Sequence, residues 1–210
     1  MIAYWIVYAI YCIIHLFICF KEKETIRKIS KIFIIPMLVG GLILHNTYNT
    51  LLYIGLILGW IGDVCLIFTS KKKYFVLGAI SFGLGHISYV LATLALFLQR
   101  YQFNEIPILV YILLTGIAVL FVILTKKKIR KHFGLISYLG SFYFYILVVA
   151  IFTSILTKMY ILTLGFAVFI ISDSILSICR FHHPIKRQHF FIMSTYIVAQ
   201  TLISISFIYY

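Results

Sequence analysis

A chain of 210 residues that is 63% hydrophobic, with mean hydropathy +1.10, is too apolar for a water-soluble globule, which lies nearer half apolar. Hydrophobic runs of about 20 residues, parted by short charged breaks, make it an integral membrane protein with no room for a soluble domain. The net charge of +13 is spread over the breaks between runs, which sets aside nucleic-acid binding.

Eight spans are predicted, over residues 2–20, 32–45, 50–69, 74–98, 106–125, 133–156, 159–179 and 189–209. The expected fold is therefore all-α, a polytopic bundle forming a single membrane domain over 1–210. The first span has no basic residue before it and no small-residue cleavage site after it, so it is not expected to be a removable signal peptide. Lys21, Lys23, Arg27, Lys28 and Lys31 follow span 1, and Lys71, Lys72 and Lys73 follow span 3. Lys126, Lys127, Lys128, Arg130 and Lys131 follow span 5; Arg180, Lys186 and Arg187 follow span 7. Only Arg100 and Lys158 fall on the other side. This alternation predicts that both termini are non-cytoplasmic and that the basic connections are cytoplasmic, where they also attract anionic headgroups.

Span 1 carries Cys12 and Cys19; with Cys65 and Cys179 these read as buried free thiols, since no CxxC pair exists. His15, His45 and His132 lie near expected interfaces and carry no assignment. Span 2 is short and holds Pro36, which predicts a kink. Span 3 places Gly55, Gly59 and Gly62 at spacings of four and three, a smooth face for a neighbouring helix, with Asp63 beside it. In span 4, His86 and Tyr89 are three apart and share a face, with Ser81, Ser88 and Thr93 adding polar atoms. Glu105 lies in the polar connection before span 5, which starts at Pro107. Span 6 carries Ser137, Tyr138, Ser141 and Tyr145. Span 7 carries Asp173. His182, His183 and His189 read as a solvated basic loop rather than a metal site. In span 8, Tyr196 and Gln200 are four apart and share a face. Interface anchoring is the plain alternative for Tyr138, Tyr145 and Tyr196, and interhelical hydrogen bonding for His86 and Gln200.

The chain has five acidic residues, and only Asp63 and Asp173 lie within apolar runs. A charge there costs about 3 kcal/mol or more, so such a group has a task or a partner. No Lys or Arg falls within the expected spans to neutralise them. Both aspartates lie about 10 Å inside the cytoplasmic boundary at a rise of about 1.5 Å per residue. Span 3 reads "IGDVCLIF" and span 7 "ISDSILSI"; the spacing of four helices suggests a 4 + 4 internal duplication.

The "GD" of the third span, "FGLGHISY" of the fourth, "SD" of the seventh and "TYIVAQTLI" of the eighth together resemble the lysoplasmalogenase (YhhN-like) family. The resemblance covers most of the chain. It implies hydrolysis of the vinyl ether bond of lysoplasmalogens to a fatty aldehyde and a glycerophospho-alcohol. Asp63 and Asp173 match its presumed catalytic pair. That family usually has Lys directly before Pro in the second span; here Lys31 and Pro36 are separated by "IFII", and neither is assigned a role. The chemistry suits paired carboxyls. One protonated acid delivers a proton to carbon, and one carboxylate faces the oxocarbenium ion, as in glycosidases. His86, Tyr89, Tyr196 and Gln200 are the expected substrate- or water-positioning residues. No cofactor and no metal is expected. The expected partners are a lysophospholipid substrate, whose phosphate the basic residues hold, and membrane lipids. Residence in a bacterial plasma membrane with the site open to the cytoplasmic half is expected. Two alternatives stay open. A proton-coupled transporter or lipid translocator also uses intramembrane acids, and a metal-dependent lipid hydrolase would ligate through His86 and the aspartates.

Overall fold

The structure is a computed structural model describing residues 1–68, 72–100, 116, 135–181 and 183–209. The described residues form helices and connections, with no strand. The helices are α1 (Ile2–Phe20), α2 (Glu24–Leu44), α3 (Thr50–Ile67), α4 (Lys72–Arg100), α5 (Leu135–Leu156), α6 (Tyr160–Phe181) and α7 (Gln188–Ser206). Five of them, α1, α3, α4, α6 and α7, are long and apolar enough to cross a membrane. The expected span over 106–125 lies outside the described residues save Gly116, as do Glu105, Pro107, His132, His182 and the basic run 126–131. So do the side chains of Ser137, Tyr138 and Ser141.

The second helix departs from expectation. A span over 32–45 would reach only about 21 Å, short of the roughly 30 Å hydrocarbon layer. Instead α2 starts at Glu24 and runs 21 residues, about 31 Å, so Arg27, Lys28 and Lys31 lie on a helix and not in a loop. Pro36 sits inside α2 without ending it.

The chain divides into two compact units, one of Met1–Asn49 with Ile161–Tyr210 and one of Thr50–Tyr160. In the first, α1 shows the sorting of a membrane helix. Its buried face is Tyr8, Cys12, His15 and Cys19, while Ile6, Val7, Ile10, Ile13, Ile14 and Phe17 are exposed. Lipid tails are as apolar as these side chains, so burying them brings little, whereas hydroxyl, thiol and imidazole groups need partners inside. Partners are supplied. Tyr4 Oη donates to Met37 O at 2.6 Å, and Tyr11 Oη to Ser30 O at 2.8 Å. Tyr8 Oη pairs with Thr201 Oγ1 at 3.0 Å. These tie α1 to α2 and to α7. Gly165 brings α6 onto α7, where an added Cβ would lie 3.0 Å from Ile203 N.

In the second unit α3 and α4 approach closely along small residues. A Cβ on Gly85 would lie 3.0 Å from Gly55 O, and one on Gly55 would enter the Tyr89 ring. Ser81 Oγ donates to Leu58 O at 2.6 Å and Ser88 Oγ to Leu51 O at 2.7 Å, so serines of α4 bond the backbone of α3. The smooth face predicted for span 3 is therefore the surface on which α4 rests.

Candidate functional site

Each unit carries a group of polar side chains built on its own helices. In the second unit the buried stripe of α3 is Leu52, Gly55, Leu56, Gly59, Gly62 and Asp63, at helical spacing. The glycines serve the α4 contact. Asp63 occupies the last buried position of that stripe and is 2% exposed, so its carboxyl lies inside protein and not in lipid.

On α4, His86 is 1% exposed and its Nδ1 lies 2.8 Å from Phe82 O. A carbonyl only accepts, so Nδ1 carries the proton, and in the neutral ring Nε2 is the acceptor nitrogen. The imidazole meets Tyr89 edge to face at 5.7 Å between ring centres, and Tyr143 of α5 at 5.6 Å. Sequence spacing placed His86 beside Tyr89, and their rings do touch. It missed Tyr143. Span 6 offered several polar residues, and only the rotation of α5 selects the one that meets His86. Tyr145 is half-buried.

In the first unit, Asp173 is half-buried on α6. Beside it Ser172, 1% exposed, donates from Oγ to Ile192 O of α7 at 3.1 Å. One turn earlier, on the Asp173 face, the Phe169 ring stands against Tyr196 at 5.6 Å. The Lys31 ammonium lies 6.0 Å from the centre of the same Tyr196 ring, at the limit of a cation–π contact. Gln200, one turn further along α7, is 1% exposed. Asp173, Tyr196 and Gln200 thus share a unit and helix faces that pack on one another. Asp63, His86 and Tyr89 share the other unit.

Lys31, expected in the loop after span 1, lies instead within α2. It is 8% exposed, and it falls in series with Ile34, Ile35, Leu38, Gly41 and Leu42, the buried stripe of α2. Had the helix been started at Glu24, this i, i+3, i+4 pattern would have marked Lys31 as a core position. Reading it as a loop residue hid that.

Around Lys31 gathers a basic end formed by the close of α1 and the starts of α2 and α7. His15 Nδ1 pairs with Ser30 Oγ at 2.7 Å, and Ser30 Oγ also donates to Arg27 O at 3.2 Å. His189, expected in a loop, is the second residue of α7 and half-buried within electrostatic reach of Arg27 and Lys31. Arg187 heads α7 in the left-handed region at φ 58°. Its amide donates to Glu22 Oε1 at 3.2 Å, and its guanidinium lies over Phe20 at 3.7 Å. Glu24 pairs with Lys28 at 2.5 Å, which holds its carboxyl below the usual glutamate range. Burial lowers the Arg27 guanidinium from its ordinary value. Within either unit, no three His, Cys, Asp or Glu side chains among the described residues converge as metal ligands.

The YhhN family model matches residues 26–207, the stretch from the start of α2 to the end of α7. No curated protein and no solved structure matches the chain.

Proposed function

This chain belongs to the YhhN family, and from that membership we propose that it is an intramembrane hydrolase of lysoplasmalogens. The bond cleaved is the vinyl ether; the products are a fatty aldehyde and a glycerophospho-alcohol. The observation that carries this beyond family membership is the Asp63 carboxyl, buried at a core position of an apolar helix. A buried acid in such a helix is expensive and points to function.

Asp63 and Asp173 act as the acid–base pair. One carboxylic acid gives its proton to the vinyl carbon beta to oxygen, leaving an oxocarbenium ion. The other, ionised, stabilises that cation and takes a proton from the water that attacks it. The resulting hemiacetal collapses as its hydroxyl proton passes to the departing glycerol oxygen, so one water is consumed and no electrons are exchanged. His86 Nε2 is the acceptor that orients water, framed by Tyr89 and Tyr143. Tyr196 and Gln200 position substrate on the Asp173 side.

Eight spans in one membrane domain, both termini outside the cytoplasm, and a site reached from the cytoplasmic half complete the proposal. Its support is the charge alternation along the chain. The test is aldehyde release by purified, detergent-solubilised protein given a vinyl ether lysolipid. Asp63→Asn and Asp173→Asn, with unaltered thermal unfolding, should each lose about 10²-fold or more. Wild-type rates in both variants would end the proposal. A transporter needs two compartments and would release nothing in detergent.

A further inference from the structure

On α6 the aspartate of the first unit stands between two serines, and the two hydroxyls do different things. Ser174, on the exposed side, donates from Oγ to Ile170 O of its own helix at 2.7 Å. That is the usual habit of a helical serine, and Ser194 and Ser206 of α7 follow it, bonding Phe191 O and Ile203 O. Ser172 does otherwise. It is 1% exposed, and its Oγ crosses to Ile192 O of α7 at 3.1 Å. In a regular helix that carbonyl also receives the amide of Tyr196, four residues on, so the bond joins the turn of Asp173 to the turn of Tyr196.

Whatever fixes the rotation of α6 about its axis decides where the Asp173 carboxyl stands. Apolar packing does so weakly, because an aliphatic side chain is as well placed against lipid as against a neighbouring helix. Two points of the α6–α7 contact are more exacting. At Gly165 the backbones approach so closely that an added Cβ would lie 3.0 Å from Ile203 N and 3.3 Å from Ala199 O. Ser172 is seven residues further on, about two turns, and so on the same side of α6. Between them Phe166 and Phe169 are fully buried, with Phe169 edge to face on Tyr196. A ring pair accommodates centre separations of about 4.5–7 Å, whereas a hydrogen bond weakens steeply with angle. Asp173 follows Ser172 by about 100° around the helix, so the Ser172 bond holds it half-buried at the margin of the packed face.

We propose that Ser172 is a positioning residue for Asp173: its bond to Ile192 O sets the rotation of α6 and so keeps the carboxyl at the edge of the face that meets Tyr196. Its importance for turnover rests on the reading of Asp173 as half of the acid–base pair; its hold on the carboxyl does not. Ser172 exchanges no proton with substrate, since its hydroxyl is spent on a backbone carbonyl. Its contribution is geometric. A displacement of about 1 Å at a reacting group can cost about 10²-fold in rate, while a lipid gripped by other side chains is held nearly as well. Loss of the Ser172 hydroxyl therefore lowers kcat and leaves KM nearly alone.

The test compares Ser172→Ala, Ser172→Thr and Ser174→Ala in the full chain, with thermal unfolding of each recorded. Aldehyde release from a vinyl ether lysolipid in detergent gives kcat and KM. In parallel, dicyclohexylcarbodiimide, which modifies carboxyls in apolar surroundings, is followed by mass spectrometry at Asp173, with Asp63 of the other unit as internal reference. In Ser172→Ala, kcat should fall about tenfold at nearly constant KM. The Asp173 labelling rate should change about threefold relative to Asp63, the ordinary worth of one interhelical hydrogen bond in lipid. Ser172→Thr keeps the donor and should hold both readouts near wild type. So should Ser174→Ala, which loses only a bond within α6. Wild-type turnover or wild-type labelling in Ser172→Ala would overturn the proposal, as would a rise in KM at constant kcat or an equal loss in Ser174→Ala. An equal loss in Ser172→Thr would assign the effect to the space around the residue instead of the bond, and would overturn it too. Should wild type release no aldehyde while Asp173 labelling still depends on Ser172, the hydrolase proposal falls and the positioning stands. Should wild type release aldehyde while neither readout depends on Ser172, the positioning alone falls.

Discussion

Gly55→Ala tests how tightly the second unit is built around its histidine. Alanine is normally the better helix former, by up to about 1 kcal/mol. At position 55, however, the new methyl would enter the Tyr89 ring, and a flexible side chain is not what it meets. Tyr89 is 1% exposed, its ring packs on His86, and its carbonyl accepts from Thr93 Oγ1 at 2.8 Å. The ring cannot swing away, and α4 cannot back off without stretching the Ser81 and Ser88 bonds to α3. Overpacking of this kind costs about 1–3 kcal/mol, which at least offsets the propensity gain and leaves a net loss of up to about 2 kcal/mol. Gly140→Ala is the matched control. Gly140 is exposed on α5, and its added methyl meets nothing within 4 Å among the described residues. That variant should be neutral or slightly more stable. The assay is unfolding in mixed micelles followed by tryptophan fluorescence, with Trp60 on α3 as the local reporter. Because Tyr89 also backs His86, Gly55→Ala should lower aldehyde release more than it lowers stability. A Gly55→Ala protein as stable as Gly140→Ala would refute the packing argument.

His86→Phe retains a ring for Tyr89 and Tyr143 but loses the Nδ1–H bond to Phe82 O. Stability should fall by about 1 kcal/mol and aldehyde release by about tenfold or more; an unchanged rate would remove His86 from the machinery. Ser88→Ala deletes the bond to Leu51 O and should cost about 0.6 kcal/mol in the same unfolding assay. Ser194→Ala, whose hydroxyl bonds back to Phe191 O of its own helix, should cost less. Glu24 should titrate below ordinary glutamates by carbon-detected NMR, and Lys28→Gln should return it toward them. Because the folded value is the lower one, the Glu24–Lys28 contact helps the start of α2 at neutral pH. That help is lost as pH falls through the lowered value. Identical titrations in the two proteins would count against it.

Much of the architecture was legible before any coordinates. A helix in hydrocarbon must satisfy its backbone within itself, so long apolar runs announce their own conformation. Six of the predicted spans match described helices to within a few residues at most ends. The small-residue face of α3 and the pairing of His86 with Tyr89 followed from helical spacing alone. What misled was the assumption that charge marks a loop. The first turns of α2 carry Arg27, Lys28 and Lys31 because a helix tolerates cations where their long side chains reach its end.

Local chemistry, then, determined which segments are helices and that two aspartates lie among apolar residues, since both follow from neighbours along the chain. Helix rotation and depth were decided only by packing between segments. That is why Lys31 emerged as a core residue over Tyr196, Tyr143 as the partner of His86, and Arg27 as a sheltered cation. In lipid, hydrophobicity does not distinguish the inner from the outer face of such helices. The sorting falls to close contacts and hydrogen bonds that exist only once the helices meet.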